Sequence, residues 1–352
     1  MYKSLVEEPP PRSFDASVLR EAMARRLHRR AEAEGKITVP AVPSLVDEYV
    51  KMCENIFAGM GIQCTVEQSA QLKRVLQGEL TKAYKISPRS VVVIEFNAPW
   101  GTRLNYRVKA DWLTIEEDYD RWVAVRPPPL FGSEPDARVC ALAGEAADPT
   151  TYRVLDIGAG TGRNALALAR RGHPVDAVEM TAQFADTIRS EAEGESLDVR
   201  VIQGDVFTAT DGAESEYHLI VVSEVVPDFR TPSQLRGLFE LSAQLLVPGG
   251  RLVLNTFLPR PGYTPDDAAR ELGQQFNSMI FTRDEVTGAA AELPLELVAD
   301  DPAYEYEKAH LPEGAWPPTG WFDGWASGLD IFDVERAESP IELRWLVYQK
   351  TG

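Results

Sequence analysis

The chain has 352 residues, with 36 basic against 54 acidic side chains and a net charge of −18. Residues 151–352 alone hold 33 acidic and 16 basic side chains. Nucleic acids and anionic membranes require basic surfaces that displace counterions, so neither is expected as a partner. Cys53, Cys64 and Cys140 are widely spaced with no C-x-x-C pair, which excludes a disulfide framework and points to reduced thiols. Without a signal-like leader or a long apolar span, the protein is expected to be soluble and cytoplasmic.

Residues 1–43 read as an N-terminal arm, with an extended Pro9-Pro10-Pro11 run and a helix-prone stretch carrying Arg25, Arg26, Arg29 and Arg30. Residues 44–112 read as an accessory helix–helix–hairpin segment. Ser44 with Asp47 can cap a helix bearing Tyr49, Val50 and Ile56, and Thr65 with Gln68 forms a capping box before Leu72, Leu76 and Leu80. Val91-Val92-Val93-Ile94 reads as a strand. Its partner alternates, with Leu104, Tyr106, Val108, Ala110 and Trp112 on one face. One apolar sheet face must be covered, and a homodimer through residues 44–112 would do so. Asp118-Tyr119-Asp120-Arg121-Trp122 follows on a helix that Thr114 and Glu117 can cap.

From Val154 the pattern changes. Val154-Leu155-Asp156-Ile157 is an apolar strand ending in a carboxylate, and Gly158, Gly160 and Gly162 turn the chain into a helix marked by Ala165, Leu166 and Leu168. Such a turn brings bare backbone N–H groups and a helix N-terminus up to a ligand. A dinucleotide fingerprint requires G-x-G-x-x-G, and its third glycine is Arg163 here. Asp156 would repel a pyrophosphate but accepts hydrogen bonds from a cationic amine. Further strands end at Glu179, at Gly204-Asp205-Val206 and at Ser223-Glu224; Thr231 then caps a helix with Pro232 in its first turn. Strand and helix alternate as in a doubly wound α/β sheet, which binds ligands at the carboxyl ends of its strands.

On these motifs, residues 113–350 resemble the class I S-adenosylmethionine-dependent methyltransferases, and the Gly162-Arg163-Asn164 ending is similar to the tellurite-resistance-type, small-molecule branch. The resemblance implies a Rossmann-like methyltransferase sheet over residues 113–352, preceded by a small α+β segment. It implies S-adenosylmethionine as cofactor and S-adenosylhomocysteine as product. Asp156, Gly158, Gly160 and Gly162 would hold the methionine part, Glu179 the ribose and Asp205 the adenine side, with Asn164, Met180, Gly204 and Val206 also binding the cofactor. Ser223 and Glu224 would lie beside the transferred methyl, and Tyr119 would gate it.

Methyl transfer needs alignment and exclusion of water more than an obligatory base, although a hydroxyl acceptor would use one. His310 and Glu224 are the candidates for that proton transfer. No histidine pair has metal-ligand spacing, and no metal is expected. The long insertion Tyr304–Trp325 carries Trp316, Trp321 and Trp325 among prolines and glycines. It reads either as an aromatic lid over the acceptor or as an anchor onto the sheet. The expected function is methyl transfer to an oxygen or nitrogen of a small organic molecule. The alternatives are a peptide or protein acceptor, and a non-catalytic cofactor-binding interaction protein. A nucleotide-dependent oxidoreductase is disfavoured by Asp156 and Arg163.

Overall fold

The computed structural model describes residues 15–28, 32–98, 104–112, 129–209 and 216–352, together with Glu117 and Val123. The chain divides into two compact units, Met1–Trp112 and Leu113–Gly352.

In the first unit, helix α1 (Ala16–His28) is followed by strand β1 (Ala33–Pro40), helices α2 (Val46–Gly59) and α3 (Val66–Ile86), and strands β2 (Val91–Ala98) and β3 (Asn105–Asp111). The three strands form an antiparallel sheet in the order β1-β2-β3. The segment read as an arm therefore supplies a strand, and the expected hairpin, β2–β3, is joined by β1 alongside β2. Ala33, Gly35, Ile37 and Val39 alternate with Glu34, Lys36 and Thr38, as a half-buried strand requires. Gly35 leaves room for Phe96 on β2, since a Cβ there would lie 2.6 Å from Phe96 Cζ. Helix α3 packs on β2 and β3 and buries Leu72, Leu76 and Leu80. Its Thr65–Gln68 capping box is formed, with Thr65 N donating to Gln68 Oε1 at 2.8 Å. By contrast α2 starts after a 3-10 turn, Pro43–Leu45, which places Leu45 and not Ser44 at its N-cap position.

The second unit opens with α4 (Ala137–Ala143) and then alternates: β4 (Val154–Ile157), α5 (Arg163–Arg170), β5 (Val175–Glu179), α6 (Ala182–Glu195), β6 (Val199–Gln203), α7 (Val206–Ala209), β7 (Tyr217–Val222), α8 (Pro232–Leu245) and β8 (Leu246–Pro259). Helices α9 (Asp267–Gln275) and α10 (Arg283–Ala290), strand β9 (Leu295–Pro302), helices α11 (Ala303–His310) and α12 (Phe322–Ala326), and strand β10 (Ile341–Lys350) complete it. The sheet order is β6-β5-β4-β7-β8-β10-β9. The first five strands are parallel, and β10 runs antiparallel to both of its neighbours. This is the Rossmann-like α/β sheet that strand–helix alternation requires.

Alternate residues of the central strands enter two apolar cores. Val154, Ala177, Leu219 and Val253 pack on one face with Trp345 and Trp325. Leu155, Val178, Ile220 and Leu252 pack on the other with Phe239 and Tyr348. Burial on both faces explains why these strands read as unbroken apolar runs. The chain turns outward from β4 in both directions, toward β5 and β6 on one side and β7 and β8 on the other. Strand order reverses between β4 and β7, which opens a crevice at their carboxyl ends.

Candidate functional site

A cavity of about 230 Å³ occupies that crevice. Its walls come from the carboxyl ends of β4, β5, β6 and β7, closed by Phe131 and Phe229. Of the residues singled out from sequence, Asp156, Gly158, Gly160, Asn164, Glu179, Met180, Gly204, Asp205, Val206, Ser223 and Glu224 all line it.

Gly158 and Gly160 have φ of +70° and +56°, a region L side chains rarely occupy. A Cβ at Gly158 would come within 2.3 Å of Val225 Cγ2. Gly162, with φ +88°, serves differently. It is the first boundary residue of α5, and a Cβ there would meet Leu166 Cδ1 at 2.8 Å and Ile188 Cγ1 at 3.1 Å. It is not among the residues lining the cavity, and it packs the helix onto α6.

Asp156 is only 2% exposed. Its Oδ2 is buried without a hydrogen-bond partner, a costly state for a carboxylate oxygen unless a ligand supplies the donor. Burial, followed by the charge of Asp136, pushes its pKa from 3.8 up to about 7, while Arg163 pulls the other way. Glu179 accepts the backbone N–H of Gly160 at 2.8 Å through Oε2 and that of Thr181 at 2.7 Å through Oε1. Burial raises its pKa and these N–H groups oppose the rise. Asp205 turns the chain into α7 by accepting the Phe207 N–H at 2.9 Å.

One end of the cavity is built around a buried ion network. Arg163 Nη1 donates to Asp136 Oδ1 at 2.6 Å, and Nη2 donates to Glu224 Oε1 at 2.9 Å. Asp136 Oδ2 also accepts from Asn164 Nδ2 at 2.8 Å and Ser223 Oγ at 2.7 Å, while the Asp136 N–H donates to Asn164 Oδ1 at 2.9 Å. Glu224 holds a non-glycine φ of +61°, and its N–H donates to Asn255 Oδ1 at 2.7 Å. Backbone strain of this kind persists where surrounding bonds over-determine it. Burial raises the Glu224 pKa against the pull of Arg163.

Asp136 and Arg163 are the functional residues that sequence reading passed over as members of this site. Arg163 was noticed only as a missing glycine. Asp136 lies at the start of α4, 18 positions before β4 begins, and has no local motif to mark it.

His310 and the tryptophan-rich insertion contribute no residue to the cavity wall. His310 ends α11, exposed, with Nδ1 2.8 Å from Tyr306 O and its ring stacked on Tyr306 at 4.3 Å. It does not line the cavity and is not placed as a base there. The tryptophan-rich insertion is an anchor. Trp325 is buried, meets Phe257 edge-on at 5.2 Å and donates from Nε1 to Asn277 O at 3.0 Å. Trp316 and Trp321 pack on the same core, and α9 is capped by Asp266. Tyr119 lies outside the described residues. Among those described, no group of His, Cys, Asp and Glu is arranged to hold a metal ion, and no helix is long and apolar enough to cross a membrane.

Residues 154–250 match a family model described as a methyltransferase domain. Over 126 residues the chain is 34% identical to ribosomal RNA small subunit methyltransferase C of Chromohalobacter salexigens, an alignment covering 34% of this chain and 36% of that protein. Over 121 residues it is 32% identical to demethylmenaquinone methyltransferase of Deinococcus radiodurans, covering 34% of this chain and 48% of that one. The chain thus spans less than half the length of these curated relatives. Geranyl diphosphate C-methyltransferase from Streptomyces coelicolor A3(2), solved with S-adenosyl-L-homocysteine, is similar over 61% of this chain and 79% of its own, with 18% identity and a TM-score of 0.46. Residues 154–250 thus form a methyltransferase domain.

Proposed function

We propose that this protein transfers a methyl group from S-adenosylmethionine to an oxygen or nitrogen of a small organic acceptor. The observation that carries the reading is the orphaned, buried Oδ2 of Asp156 beside Gly158 and Gly160. An anionic oxygen without a donor, in a crevice whose glycines leave the backbone bare, fits a ligand that brings an ammonium group and no phosphate.

In this reading Asp156 accepts from the α-ammonium of the methionine part, with Asn164 on the same side of the cavity. Glu179 keeps lone pairs for the ribose hydroxyls beyond those used by Gly160 and Thr181. Asp205, with the backbone at Gly204 and Val206, faces the adenine amino group, and Met180 and Phe207 cover its ring. Among the described residues, cavity-lining carboxylates number five, at Asp156, Glu179, Asp205, Glu224 and Asp228, against the single cation Arg163. That imbalance suits a cationic ligand.

The cofactor when bound supplies a methyl on a sulfonium, an electrophile that an acceptor lone pair can displace in line. The protein's share is to align the two reactants and keep water out, worth up to about 7–11 kcal/mol in well-oriented systems. Glu224 faces the reacting end with Oε1 held by Arg163. Its raised pKa equips it to take a proton from an acceptor hydroxyl or ammonium near neutral pH, and it replaces His310 as the proposed base. A small acceptor fits a site lined on that side by Val225 and Phe229. The net −17 of residues 151–352 disfavours RNA as the acceptor, although one relative is named for ribosomal RNA. With three free cysteines the protein suits the reducing cytoplasm.

Calorimetry with S-adenosylmethionine and S-adenosylhomocysteine tests the cofactor, with a nicotinamide dinucleotide as control. Transfer of labelled methyl to a panel of small alcohols, amines, a basic peptide and ribosomal RNA tests the acceptor. Binding of the sulfur ligands alone, with label on a small molecule, is the expected result. Label on the peptide or RNA alone would replace the acceptor class, and preference for the dinucleotide would overturn the reading.

A further inference from the structure

Arg163 is the only basic side chain on the cavity wall among the described residues, and Asp156 lies on the same wall. Free to move, a buried guanidinium would pair with the orphaned Asp156 oxygen and occupy the place an ammonium needs. It is not free. Asp136 grips it with two bonds, at 2.6 Å and 3.3 Å, and Glu224 with a third at 2.9 Å. Asp136 in turn is fixed by Asn164 and Ser223 and is 3% exposed. It comes from the start of α4, ahead of the matched family segment.

We infer that Asp136 is a positioning residue that sequesters Arg163 and so keeps Asp156 open for the ammonium of an amino-acid-bearing ligand. The inference rests on the proposed cofactor reading. Asp136 touches no ligand itself: it sets where the competing cation sits. In this arrangement the affinity contributed by the amino-acid part of the cofactor depends on a residue outside the methyltransferase family segment.

The test compares S-adenosylhomocysteine, which carries the ammonium, with 5′-methylthioadenosine, which keeps the adenosine and sulfur but lacks the amino-acid part. D136N is expected to weaken S-adenosylhomocysteine binding by about tenfold or more while 5′-methylthioadenosine changes by less than about twofold. Adding R163M to D136N removes the competitor and is expected to restore binding to within about threefold of wild type. Equal weakening of both ligands, no weakening, or a selective loss without restoration in the double variant would each overturn the inference. A ligand-free arm keeps it separate from the cofactor reading. In a crystal structure of D136N the Arg163 guanidinium should lie on Asp156, and its remaining on Glu224 alone would refute the sequestration even if the wild-type protein bound neither nucleoside.

Discussion

Glu307 Oε2 accepts the backbone N–H of Ala137 at 2.7 Å across 170 positions of sequence. Its other oxygen accepts Arg138 N–H at 3.1 Å and Trp345 Nε1 at 2.9 Å. One carboxyl on α11 thus closes the amino end of α4, next to Asp136, and ties both to β10. A helix start leaves N–H groups unsatisfied, and an anion there is favoured by the helix dipole.

Glu307→Ala strands three donors in a buried place, so a loss of roughly 2–4 kcal/mol is expected. Glu307→Gln should recover much of it, because an amide oxygen still accepts. Urea unfolding with an unchanged slope checks both; a neutral Glu307→Ala would show that water replaces the carboxyl.

Asp156→Asn sets stability against binding. An amide removes a charge that burial disfavours, so the ligand-free variant is expected to melt higher than wild type at pH 8. The same change should weaken S-adenosylmethionine by about tenfold or more, one charge-assisted hydrogen bond being at stake. Thermal scans and calorimetry read the two effects separately. A variant that melts lower and binds as well as wild type contradicts both halves.

The pH dependence follows from the sign of the shifts. Burial raises Asp156 from 3.8 to about 7 and moves Glu224 and Glu307 upward as well. A carboxyl raised on folding binds its proton more tightly in the folded state. The ligand-free protein should therefore be most stable below about pH 4 as far as these groups are concerned, and lose stability as pH rises toward 7. A cationic ligand requires Asp156 ionised. S-adenosylmethionine affinity is expected to climb between pH 6 and 8, with proton release on binding below 7. Calorimetry in buffers of different ionisation enthalpy measures that proton directly, and a flat affinity across the window would contradict the assignment of Asp156.

The two loop glycines divide labour. Gly162→Ala places a methyl against Leu166 and Ile188 at a φ of +88°, and about 1–3 kcal/mol of stability should be lost with modest change in ligand affinity once folded. Gly160→Ala, with φ +56° and Phe131 at 3.4 Å on the cavity side, should instead depress binding in proportion more than stability. Paired melting and binding curves decide it; equal effects in both variants would erase the distinction.

Local patterns carried much of the fold. The β4–glycine–α5 turn, the Thr65 and Thr231 capping boxes and the apolar strands depend on neighbours within a few residues, and the sequence states them directly. Strand β1 was available in the same way, through the alternation of Ala33, Gly35, Ile37 and Val39. At Gly35 the inward side chain is missing because Phe96 fills the space, which weakens the apolar signal there. Asp136 and Glu307 were beyond reach for another reason. Each is an acidic residue among many in a chain with 54 of them, and only tertiary contacts across 27 to 170 positions give them partners. His310 draws attention by scarcity, and its ring stacks on Tyr306 one helical turn earlier.

The bond between Arg163 and Asp136 also limits how this protein can be recombined. The family segment 154–250 contains the guanidinium, and its counter-ion lies upstream of the segment. A chimera that imports residues 154–250 from a relative with a neutral side chain at position 163 would bury Asp136 with no cation opposite it. A relative keeping the arginine but lacking the upstream carboxylate would deliver the opposite error. The segment and the helix before it are a matched pair, and transplants should carry residues 136 and 163 together or replace both.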